Sequence, residues 1–118
     1  MSVSEIPQRE RDIDEQWRLA AAEWVELNSR AELLEDLKSA RFSELMQDQF
    51  QADPKIAVNR AEIAVKASDE WRQYIEGMVE ARRLANQAKA DRDELKMRFD
   101  KWQTRNAMRR TERYLAKG

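Results

Sequence analysis

Cysteine and histidine are both absent from the 118 residues. Without cysteine there is no disulfide framework and no thiolate to act as nucleophile or ligand. Without histidine the chain lacks the commonest general base and the commonest metal ligand. Glycine and proline occur twice each, too rarely to punctuate the many turns of a β or α/β protein. Ser29, Ser39, Ser43 and Ser68 have no histidine to activate them. Gly77 and Gly118 cannot form a phosphate-cradling loop. No run is apolar enough for a signal peptide or a membrane span, which places the chain in the cytoplasm. These absences predict a protein that is not an enzyme, with no cofactor, metal, small-molecule substrate or membrane partner.

What is present is charge and periodicity. Charged residues make up 38% of the chain and hydrophobic residues 42%, and the hydrophobic ones recur at helical spacing. From Ala64 the chain reads Ala67, Trp71, Tyr74, Met78, Ala81, Ala85, Ala88, Arg92, Leu95, Phe99, Trp102 and Asn106, in alternating steps of three and four. Such a seven-residue repeat turns one face of a long helix towards a partner helix. An earlier stretch has its own seam: Ile13, Trp17, Ala20, Trp24, Leu27, Ala31 and Leu34. Beyond Leu34 the phase shifts to Leu37, Arg41 or Phe42, Leu45 and Phe50.

Residues 1–6 read as a frayed arm, with a helix start between Pro7 and Asp12. The one clear break is Gln51-Ala52-Asp53-Pro54, where Asp53 suits an N-cap and Pro54 the first turn of the next helix. The expectation is a single all-α domain, 1–118: helix about 9–51, turn 51–54, helix about 54–114. So short a link predicts an antiparallel hairpin, a coiled coil. A turn between Ala52 and Asp53 sets Trp24 against Ala81 and Trp17 against Ala88. It also sets Ala20 against Ala85, Leu34 against Trp71, Ala31 against Tyr74 and Leu27 against Met78, so that large residues mostly meet small ones. Arg92 falls opposite Ile13, either paired by Glu10, Asp12 or Asp14, or reaching water. Gly77 reads as a mild weak point or a close helix contact.

Two helices cannot cover every apolar residue near the turn. Phe42, Leu45, Met46, Phe50, Ile56 and Ile63, with Leu33, Leu37, Val58 and Val65, occupy more than one face. Two hairpins joined as a four-helix bundle would cover them, so these residues are the expected contacts of a homodimer.

Charge is unevenly spread. Residues 1–50 carry 6 basic against 12 acidic side chains, a net of −6. Residues 101–118 carry 6 against 1, a net of +5. In the expected register, residues past about 104 overhang the first helix. Lys101, Arg105, Arg109, Arg110, Arg113 and Lys117 then form a candidate surface for nucleic-acid phosphates, an acidic protein partner or a second subunit. The bland reading is that cations near a helix C-terminus suit its dipole. The carboxylates avoid the seams and read as a solvated face. Trp17, Trp24, Trp71 and Trp102 lie on the seams and read as core residues; Trp102 is the best placed for base stacking.

Phe99-Asp100-Lys101-Trp102, followed by Arg105, Arg109 and Arg110, together with Ala67-Ser68-Asp69-Glu70-Trp71, resembles small coiled-coil proteins of temperate bacteriophages. The resemblance spans residues 64–113. It implies an accessory in phage DNA metabolism or host interference, and it carries no catalytic residues. Taken together, the expected function is a scaffolding or inhibiting module that binds an unidentified protein partner, with a nucleic-acid-binding accessory as the alternative.

Overall fold

The computed structural model describes the backbone of residues 5–117 and the side chains of residues 12–116. The described residues form four α-helices and no strand: α1 (Glu5–Asp36), α2 (Lys38–Ala52), α3 (Val58–Lys66) and α4 (Asp69–Lys117). The all-α class follows the periodicity. Helix α1 starts at Glu5, ahead of the expected Pro7–Asp12; residues 1–4 of the expected arm lie outside the described residues. Pro7 is thus within the first turn, where its missing N–H costs nothing.

Both expected long helices are interrupted. Leu37 separates α1 from α2 while keeping helical dihedrals. Its N–H still reaches the Leu33 carbonyl at 3.0 Å, and its own carbonyl accepts from Arg41 N–H at 2.9 Å. This is where the apolar pattern changes phase. The second interruption, at Ala67 and Ser68, was hidden by an unbroken heptad. Ser68 caps α4: its Oγ accepts from the Trp71 N–H at 3.2 Å and donates to the Val65 carbonyl at 2.6 Å. Asp69 and Glu70 follow in the first turn, where carboxylates suit the helix dipole.

The link after α2 is longer than expected. Asp53 is extended, as a residue before proline should be. It closes α2, its N–H donating to the Gln49 carbonyl at 2.9 Å, and does not open the next helix. Its side chain and carbonyl then accept from the Lys55 and Ile56 N–H groups, at 3.2 and 3.1 Å. Pro54 therefore lies in a turn, and α3 waits until Val58.

The chain divides into two compact units, residues 26–85 and residues 1–25 with 86–118. In the unit of residues 26–85, α2 packs on α3. Their buried residues are Leu45 on α2, and Ala61 and Val65 on α3. Here α1 runs antiparallel to α4, and Ala31, Ala81 and Ala85 form a buried cluster flanked by Leu27 and Leu34. Small meets small at this point, not large against small, because alanine faces let helix backbones approach closely. The Tyr74 hydroxyl donates to the Leu34 carbonyl, which corrects the expected pairing of Ala31 with Tyr74. Phe42 meets Trp71 edge-on at 5.1 Å, and Trp71 stacks on Tyr74 at 5.9 Å.

In the other unit α1 is again antiparallel to α4. Trp17 stacks on Phe99, with ring centroids 5.8 Å apart and planes 13° apart, and not on Ala88. Trp24 lies beside Arg92, not Ala81. Both are displaced by eleven residues, about three helical turns, so α4 shows the same face. The longer link and the break at Ser68 use up residues that the short-turn register assigned to continuous helix. Gly77 is exposed and has no neighbour where a Cβ would point, which corrects the close-contact reading.

Candidate interaction surfaces

The seams define what the chain keeps for itself. From Trp71 to Asn106 every seam residue of α4 is buried or half-buried, and so is every seam residue of α1 from Ile13 to Leu34. The four tryptophans are therefore core residues, although none is fully buried. Among the described residues Val65 is the only large side chain that is fully buried; the rest of the core is mostly alanine.

Two polar devices tie α1 to α4. The Arg82 guanidinium forks onto Glu35, Nε to Oε2 at 3.1 Å and Nη2 to Oε1 at 2.5 Å, and its Nη1 donates to Asn28 Oδ1 at 2.9 Å. Asn28 and Glu35 are seven residues apart, at the flank of the α1 seam, where ion pairs set the alignment of coiled helices. The hydrogen bonds from Arg82 hold the Glu35 carboxyl below the usual range, and Arg82 is raised in turn by Glu35. The sequence reading left Arg82 unassigned and took Glu35 for solvated face; the i, i+7 spacing of Asn28 and Glu35 was the available signal. The second device is Arg92. Its guanidinium lies 4.3 Å from the Trp24 ring centre and bonds Asp93 Oδ1 at 2.8 and 3.1 Å. Neither Asp12 nor Asp14 is its partner; the side chain of Glu10, the third expected partner, lies outside the described residues. Trp17 Nε1 is buried without a hydrogen-bond partner.

At the turn end the expected dimer contacts divide. Leu45 is buried within the chain, and Phe42, Met46, Phe50 and Ile56 are half-buried. Ile63 is 68% exposed, Leu33 and Val58 57% and Leu37 47%.

At the basic end Lys101, Arg105, Arg109, Arg110 and Arg113 are all exposed. The side chain of Lys117 lies outside the described residues. Elsewhere five arginines find a carboxylate one turn away on their own helix, Arg18 with Asp14, Arg41 with Glu44, Arg72 with Asp69, Arg83 with Glu80 and Arg98 with Glu94, though among the described residues Arg30 and Arg60 do not. Among the described residues no such pair involves Lys101, Arg105, Arg109, Arg110 or Arg113, since Glu112 is the only acid in that stretch. Trp102, Gln103, Asn106, Ala107 and Arg110 line a shallow open groove there. The expected overhang is corrected by the register. With Trp17 level with Phe99, the backbone of α1 back to Glu5 reaches to about the level of Thr111.

No group of three or more metal-ligating side chains occurs among the described residues. No helix among them is long and apolar enough to cross a membrane. Comparison with family models, curated proteins and solved structures gives no match.

Proposed function

We propose that this chain is a non-enzymatic coiled-coil interaction module that pairs with a second copy of itself and, as a dimer, scaffolds or inhibits a protein partner. The observation that carries the reading is the uncovered apolar set of the turn-end unit. Leu33, Leu37, Val58 and Ile63 stay in water, while Val65 is the only large side chain fully buried among the described residues. Apolar residues displayed in such numbers beside a thin core favour association, because burying them removes apolar area from water. Pairing two copies into a four-helix bundle covers them without a new element. The bacteriophage setting and the cytoplasmic location belong to the same reading and rest on sequence alone.

Sedimentation at micromolar concentration tests it. The expected species is a dimer. Leu37→Glu with Ile63→Glu should give a monomer of unchanged helicity, because both side chains are exposed within one chain. A wild-type monomer at that concentration would remove the argument.

A further inference from the structure

We propose that the basic end of α4 is a binding site for single-stranded nucleic acid, its arginines holding the phosphates and Trp102 offering a face to a base. The inference is independent of the turn-end association. It rests on three observations in one stretch of helix. First, Arg105, Arg109 and Arg113 recur every four residues, about 6 Å apart along the axis, with Arg110 beside them. All four are exposed. Second, they carry no ion pair among the described residues. Glu112 is the only acid in their own stretch of helix, and the side chains of residues 5–11 of α1 lie outside the described residues. A row of exposed guanidinium groups is matched by a repeating anion.

Third, the groove that Arg110 shares with Trp102 has mixed chemistry. Trp102 stacks on Phe99, at 6.1 Å between ring centroids, and Phe99 is stacked in turn on Trp17. Trp102 thereby belongs to a fixed stack and also lines an open groove. Gln103 and Asn106 add side-chain amides that can donate to and accept from a base edge, and Arg110 closes the groove with a cation. Stacking on an aromatic face requires an unstacked base, which a single strand supplies and a duplex does not. This favours the single strand over double-stranded DNA or a featureless polyanion. The acidic start of α1 shares this unit; its Asp14 is taken up by Arg18 at 3.2 Å, and the side chains of Glu5 and Glu10 lie outside the described residues.

The test is anisotropy of labelled oligothymidylate titrated with the full chain, beside a duplex of equal length and heparin as competitors. Four arginine contacts to a single strand should make affinity fall about fifty-fold between 50 and 200 mM salt. The single strand should bind best. Replacing Arg105, Arg109, Arg110 and Arg113 by alanine should abolish binding while leaving the sedimentation behaviour unchanged. Trp102→Leu should weaken oligothymidylate several-fold and heparin not at all. Should that variant lose helicity, Arg110→Ala, at an exposed position with no partner among the described residues, must by itself weaken the single strand and flatten its salt dependence. Absence of binding at 50 mM salt, binding retained by the four-fold variant, or equal binding of single strand, duplex and heparin would each overturn the proposal.

Discussion

The guanidinium of Arg92 lies 4.3 Å from the centre of the Trp24 ring. A charged residue at a seam position is tolerated because an aromatic face and Asp93 both receive it, and its side chain stays 23% exposed. The contact aligns α1 and α4 within their unit. Arg92→Ala should destabilise the fold by about 1 kcal/mol. In a double-mutant cycle with Trp24→Leu, thermal unfolding should show coupling between the two positions. Strict additivity would show that the contact is incidental.

Ala85 is fully buried at the alanine contact between α1 and α4. Ala85→Phe should overpack it and cost roughly 1–3 kcal/mol. Ala90→Phe, at an exposed position of the same helix, should be within about 0.5 kcal/mol of wild type. Equal melting temperatures for Ala85→Phe and wild type would refute the pairing.

Two changes probe α4 on its own. Ser68→Ala removes the cap and should cost about 1 kcal/mol. Gly77→Ala meets open space at a helical dihedral and should gain about 0.5–1 kcal/mol. Chemical denaturation would register both, and a destabilised Gly77→Ala would reveal a contact absent from this structure.

Glu35 gives the fold a pH dependence. Its carboxyl is depressed in the folded state by the hydrogen bonds from Arg82. Its contribution is therefore present above the ordinary glutamate value and is lost as pH falls through the lowered folded value. Glu80 is depressed likewise by Arg83, though that pair lies within one helix. Glu35→Gln should leave stability lower at neutral pH and make its decline in acid shallower. Parallel pH profiles for the variant and wild type would exclude the link.

How much of this was legible in the sequence differs from one residue to the next. The seam from Trp71 to Asn106 was readable because a period between three and four residues admits only one buried face per helix. Ser68-Asp69-Glu70 carried the N-cap signal openly, yet the heptad running through it argued for continuity, and the cap prevailed. Asp53 was correctly extended before Pro54, but the same residue can close one helix or open the next, and only the Lys55 and Ile56 hydrogen bonds distinguish the two.

By itself the sequence determined the helical class, the inward faces and the antiparallel sense, since these depend on local spacing and a short link. The tertiary structure decided the register. A slip of eleven residues carries a helix about three whole turns, so Trp24 can meet Ala81 or Arg92 with the same face exposed and the periodicity cannot separate them. What separates them lies between distant residues: the space that α2 and α3 take up at the turn, the alanine contact of Ala31 with Ala81 and Ala85, and the reach of Arg82 to Glu35 and Asn28. Those terms are set by three-dimensional packing, and no run of spacing along one helix contains them.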